Sequence, residues 1–194
     1  MHPNRRECIA LALSAALPVH AQVRVEGYTF ARDARVGGQS LRLNGVGLRA
    51  VAWLKGYAAG LYLGARATTA AAVLADTGAK RLQLRMLQDV PTGEFVKAFD
   101  KGVARNTPAS ELPALAERMQ RFDAMVNSLG QVRKGDVVDL DWLPGQGLVF
   151  AYNGRTLGSP IAGVDLYAAL LRIFIGPRPT DPEMKVGLLG GPVG

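Results

Sequence analysis

The sequence predicts an α+β fold in which an antiparallel sheet carries a layer of helices. Three observations predict it. Arg81 to Leu87 alternates cleanly, Leu82, Leu84 and Met86 against Arg81, Gln83 and Arg85, which is the pattern of a half-buried strand. Phe95, Phe99 and Val103 recur at helical spacing, and Leu112, Leu115, Met119, Phe122 and Val126 do so again, which gives two amphipathic helices. Asn153-Gly154 between apolar runs marks a hairpin, so the chain returns to strands after its helices.

Residues 1–21 stand apart from that fold. Arg5 and Arg6 precede a short apolar stretch, Cys8 to Val19, and Val19-His20-Ala21 fits the small-residue rule for cleavage. The segment reads as a secretory signal peptide, too short to be a membrane anchor. Cleavage after Ala21 leaves one domain, residues 22–194. No later apolar run is long enough to span a bilayer, so no stable membrane insertion is expected. A secreted, periplasmic location follows from the same reading.

The remaining elements follow in chain order. Val23 to Phe30 alternates loosely and reads as a strand. Val36-Gly37-Gly38-Gln39 is a hairpin turn before Leu41-Arg42-Leu43. Two apolar strands, about Val46–Leu54 and Tyr57–Leu63, are joined by a turn near Lys55-Gly56. Thr68 or Thr69 caps a short helix through Leu74, with Gly78 past its end. Thr92 caps the first long helix, Asn106 continues its apolar face, and Thr107-Pro108 breaks it. The second long helix runs to Leu129 and ends at Gly130. Asp136–Leu143, Leu148–Tyr152 and Arg155–Ile161 are strands, with a turn at Pro144-Gly145-Gln146-Gly147. Val164–Ile175 is an apolar helix stopped by Gly176-Pro177, and a short helix follows from Asp181 to Leu189.

Composition removes much chemistry. The one cysteine, Cys8, and both histidines, His2 and His20, lie in the cleaved segment. The mature chain then has no thiol nucleophile, imidazole base or disulfide, and no zinc or iron–sulfur site built on those ligands. Haem would need Tyr or Met as its axial ligand, so no cofactor and no metal is expected. The mature net charge is +6, from 21 basic and 15 acidic residues. The arginines are scattered without interleaved aromatics, so the charge reads as a solvated surface and no nucleic-acid partner is expected. Gly37-Gly38 and Gly145-Gln146-Gly147 lack the strand–glycine–helix context of a phosphate loop.

Arg49 is the residue that asks for an explanation. On a strand it shares a face with Val51 and Trp53. A guanidinium there is costly unless an anion or several acceptors meet it. Either its head reaches solvent or a carboxylate such as Asp139 or Asp141, or it recognises the carboxylate or phenolate of a ligand in an apolar pocket. Tyr57, on the adjacent strand, can donate to the same anion or be a core tyrosine. Tyr62 falls on the opposite face. Asn106 is a turn residue or a site residue, and Tyr167 and Phe95 read first as core. Asp136, Asp139 and Asp141 read as the solvent side of their strand rather than as catalytic acids.

Leu43-Asn44-Gly45-Val46-Gly47-Leu48-Arg49 followed by Gly60-Leu61-Tyr62-Leu63 resembles the front hairpin of the chalcone isomerase family. Asp165-Leu166-Tyr167-Ala168-Ala169-Leu170-Leu171-Arg172-Ile173-Phe174-Ile175-Gly176 resembles its C-terminal helix. The likeness covers most of residues 23–189 and points to the secreted bacterial branch. It implies an open-faced β-sandwich with a cleft between sheet and helices. It also implies that Arg49 holds the substrate anion. Tyr57 falls at a threonine position of the plant enzymes, Phe99 at the tyrosine, Asn106 at the asparagine and Tyr167 at the last hydroxyl, and the hairpin is a few residues shorter.

Ring closure of a phenolic enone needs hydrogen-bond donors around the developing enolate, and Phe99 cannot donate. An arginine with a tyrosine resembles instead the non-catalytic fatty-acid-binding branch. The expectation is therefore a periplasmic binding protein for an amphipathic anion, fatty-acid-like, held by Arg49 and Tyr57. Phe99, Asn106 and Tyr167 stand around the same cleft, and Val51, Trp53, Phe95 and Leu170 line or back it. The alternative is an isomerase of the intramolecular lyase class, using Arg49, Tyr57, Asn106 and Tyr167. A scaffold whose cleft is simply filled is a third reading.

Overall fold

The computed structural model describes residues 22–51 and 54–192. The expected signal peptide and Trp53 lie outside these residues, and of Val51 only the backbone is described. The order is β1 (Gln22–Val25), β2 (Tyr28–Ala31), β3 (Asp33–Val36), β4 (Gln39–Val51), β5 (Leu54–Leu63), α1 (Ala70–Ala75), β6 (Lys80–Met86) and β7 (Val90–Pro91). Then come α2 (Thr92–Asn106), α3 (Leu112–Asn127), β8 (Gln131–Val132), β9 (Val137–Leu143), β10 (Gly147–Tyr152), β11 (Arg155–Ile161), α4 (Val164–Ile175) and α5 (Pro182–Leu188).

Seven strands form one antiparallel sheet in the order β11-β10-β9-β6-β5-β4-β3. Strand alternation gives it one continuous apolar face. Leu61, Leu82, Leu84, Leu140, Trp142 and Phe150 are buried there against α2, α3 and α4. The opposite face is covered in part by the β1–β2 hairpin, whose Phe30 lies so close to Gly60 that a Cβ there would come within 2.7 Å of the ring. Tyr62 is buried on that second side, away from Tyr57, as alternation requires. The architecture is the expected one, a curled antiparallel sheet with a helical layer.

Several boundaries differ for local reasons. Val23 to Phe30 is a hairpin and not one strand, because Glu26 and Gly27 both take positive φ (51° and 81°), as a tight two-residue turn requires. The expected strands at Leu41–Leu43 and Val46–Leu54 are one strand, β4, with a bulge between Leu43 and Gly45. Asn44 at that bulge is buried, donating to the carbonyls of Ala67 (2.9 Å) and Leu188 (2.8 Å). Lys55 and Gly56 are strand residues of β5 rather than a turn. Thr92 does not cap α2; it is inside the helix, and its hydroxyl donates to the Gly130 carbonyl at 3.0 Å.

Asp139 and Asp141 are not on a solvated side. They are 6% and 7% exposed. The β6–β9 register sets Gln83 opposite Asp139 and Arg81 opposite Asp141. Arg81 forks onto both oxygens of Asp141 at 2.7 Å, and the Gln83 amide donates to Asp139 at 2.8 Å. Opposite charges placed across strands thus cover one another from water.

Helix α5 lies directly on β4, and glycines make that possible. A Cβ at Gly45 would sit 2.0 Å from the Gly187 carbonyl oxygen, and one at Gly47 would sit 2.6 Å from that of Met184. A Cβ on Gly187 would in turn be 2.1 Å from the Val46 oxygen. Backbone meets backbone here, so the contact has no flexible side chain to give way. Gly47→Ala is expected to cost about 1–3 kcal/mol, as overpacking does; a melting curve identical to the parent's would contradict the close contact.

Helices α2 and α3 meet through Phe99 and Phe122, with ring centroids 4.6 Å apart. Asp100 and Asp123 stand beside that pair. Burial, reinforced by Asp100, pushes the Asp123 carboxyl up to about 6 from 3.8. One Asp123 oxygen is buried with no hydrogen-bond partner among the described residues. A raised carboxyl means that the folded state holds the proton more tightly. The destabilisation is then full above about pH 6 and vanishes as pH falls to about 4. Because the side chain is only partly buried and water still screens it, about 1 kcal/mol is at stake. Asp123→Asn is expected to stabilise by that amount at pH 7 and by nothing at pH 4; denaturant midpoints with an equal gap at both pH values would refute it.

Candidate functional site

The β4–β5 register places Arg49 directly opposite Tyr57. A bulge between Arg49 and Ala50 bends β4 at that point. Both side chains leave the helix-bearing face. Arg49 donates through Nη1 to the Thr180 carbonyl at 2.9 Å. Among the described residues no carboxylate forms an ion pair with it, so neither Asp139 nor Asp141 is its partner. The rest of its planar fork remains available.

The Tyr57 ring stacks on Phe95 (centroids 6.3 Å, interplanar 27°) and meets Phe174 edge-on (6.4 Å, 63°). Burial pushes its phenol up to about 12, with Arg49 opposing the shift and Asp181 adding to it. The hydroxyl therefore stays protonated at any physiological pH and can donate. It has no hydrogen-bond partner among the described residues.

The carbonyl that receives Arg49 is held by the segment between α4 and α5. Thr180 donates through its backbone N–H (2.8 Å) and its hydroxyl (3.1 Å) to the Ile173 carbonyl. The Asn106 amide donates to the carbonyls of Arg178 (2.9 Å) and Gly102 (3.0 Å), and its oxygen accepts from the Arg178 N–H at 3.0 Å. Asp181 caps α5 by accepting from the N–H groups of Glu183 and Met184. The chain around Thr180 is thus tied to α2 at one side and to α5 at the other.

Arg49, Tyr57 and Thr180 stand at one end of a cavity between sheet and helices that measures about 810 Å³ when its open mouth is included. Phe95, Val96 and Leu129 are the other half-exposed residues at this mouth. Further in, Phe99, Phe122, Leu140, Phe150, Leu170 and Ile173 are all buried. Five of the six phenylalanines line this one space. From Arg49 on β4 the lining crosses β5, β6 and β9 to Phe150 on β10. Four strand spacings of about 4.8 Å separate the backbones at its two ends by about 19 Å along the sheet. Polar groups at the mouth and an apolar interior suit an amphipathic molecule. Among the described residues no cluster of His, Cys, Asp or Glu could hold a metal ion, and no helix is long and apolar enough to cross a membrane.

Of the residues singled out from the sequence, Arg49, Tyr57, Phe95, Phe99 and Leu170 line the cavity. Asn106 and Tyr167 do not, which corrects their expected place in it. Asn106 spends its amide on backbone groups, as above. Tyr167 is 2% exposed, donates to the Leu140 carbonyl at 3.1 Å and packs against Trp142 at 5.7 Å. Its hydroxyl is consumed behind the wall. The sequence reading missed Thr180, whose contribution is a main-chain oxygen, and it took Phe122 only as helix core and passed over Phe150 and Phe174. The concentration of phenylalanine in the segments that meet here was the available signal.

No curated protein sequence matches the chain. In fold it is similar to the crystal structure of the Arabidopsis thaliana fatty-acid binding protein AtFAP1, with a TM-score of 0.65 and 18% identity over 87% of this chain and 96% of that one. The profile of the chalcone isomerase-like family matches residues 22–190. The chain belongs to the chalcone isomerase-like family.

Proposed function

We propose that this protein binds a fatty-acid-like amphipathic anion, with the carboxylate at Arg49 and Tyr57 and the tail in the apolar cavity. The observation that carries this is the placing of a guanidinium and a protonated phenol together at the mouth of a space otherwise lined by apolar side chains. The fold likeness to a fatty-acid binding protein supports it. We propose also that the chain is exported through cleavage after Ala21 and acts in the periplasm, without stable membrane insertion or a nucleic-acid partner.

Holding an anion accounts for the site better than turning over a phenolic enone. The position matched to the family's tyrosine carries Phe99, which has no donor. The Asn106 amide and the Tyr167 hydroxyl are engaged with backbone. Among the described residues, an enolate in this cavity would find Arg49 and Tyr57 as its donors.

Calorimetric titration of the purified protein with a long-chain fatty acid tests the reading. Arg49→Ala removes a charged hydrogen bond worth about 1.5–3 kcal/mol, so affinity should fall roughly tenfold or more. Tyr57→Phe removes a neutral one of about 0.5–1.5 kcal/mol and should cost roughly two- to tenfold. Absence of binding by the parent, or an Arg49→Ala variant that binds as tightly, defeats the proposal. A chalcone assay should give no rate above the uncatalysed background, and a rate that Arg49→Ala abolishes would restore the isomerase reading.

A further inference from the structure

We infer that Phe122 and Phe150 form the floor of the cavity and set the longest tail that it accepts. This rests on the ligand reading above and adds to it a length limit. The polar end of the cavity is its half-exposed mouth, so a bound tail runs inward from Arg49 across the sheet. Its last wall is on β10, where Phe150 is 3% exposed. Phe150 meets Phe122 of α3 edge-to-face, with centroids 5.9 Å apart and planes at 86°. Phe122 in turn leans on Phe99 of α2 at 4.6 Å. Three rings from a strand and two helices therefore brace one another, and none can swing aside without displacing the next.

The room behind the floor is apolar. Leu157 of β11 pairs across from Phe150 and is half-buried. Met125 of α3 lies against Gly158 of the same strand and is also half-buried. Removing a ring would extend the cavity towards this seam between α3 and β11, so that a longer tail could enter. Within the limit, each methylene that finds room should tighten binding about fourfold, the equivalent of about 0.8 kcal/mol. Past the limit the gain should stop.

The test is displacement of a fluorescent fatty acid by straight-chain saturated acids that lengthen two carbons at a time. Affinity for the parent should climb with length and then break. Phe122→Leu and Phe150→Leu should each move the break to acids longer by two carbons or more. Leu140→Phe, which narrows the inner end, should move it the other way. Circular dichroism identifies any variant that has not folded, and the remaining substitutions then decide. A break at the parental length in every folded variant overturns the floor while leaving Arg49-dependent binding intact. If no acid binds even the parent, the ligand reading fails first and the floor with it.

Discussion

The hydrogen bond from Arg49 to the Thr180 carbonyl is the contact on which the site depends. A guanidinium at the edge of an apolar layer is tolerable only where acceptors meet it. Among the described residues one backbone oxygen meets part of this one, and no other partner holds the rest of the fork. That oxygen is in place because α5 lies on β4 backbone to backbone, through Gly45, Gly47 and Gly187. It is in place also because Asn106 ties the preceding residues to α2. Sheet register, a glycine contact and an amide clamp thus converge on one charge.

Tyr57 gains its role from the same geometry. The β4–β5 register makes it the cross-strand neighbour of Arg49, and its burial between Phe95 and Phe174 keeps the phenol protonated. A donor and a cation at the mouth, with rings behind them, would separate the head of the proposed ligand from its tail. The rest of the cavity needs no polar group, which is why Asn106 and Tyr167 can serve the backbone instead.

Much of this was legible in the sequence because it is local. The alternation of Arg81–Leu87, the Asn153-Gly154 turn and the helical spacing of α2, α3 and α4 each report a period that folding does not overrule. Arg49 was legible because a charge in an apolar strand contradicts its surroundings. What was not legible arises between elements. Glu26-Gly27 turns without the usual asparagine, and the bulge at Asn44 makes one strand of two. Asp139 and Asp141 are buried only because β6 brings Gln83 and Arg81 across from them. Thr180 acts through its carbonyl, which every residue has, so its side chain could not announce it. Asn106 was visible as the end of an apolar helix face, but the loop that it clamps comes from 72 residues further along the chain.

The central claim is that Arg49 meets the ionised head of a bound ligand. Carbon-13 spectroscopy of a carboxyl-labelled long-chain fatty acid bound to the protein tests it most directly. A carboxylate held by Arg49 should keep its ionised chemical shift well below the pH at which carboxylates ordinarily titrate, and the Arg49→Ala variant should return it to ordinary titration. A bound carboxyl that titrates as it does in water, alike in parent and variant, would show that the head lies elsewhere and would contradict the account.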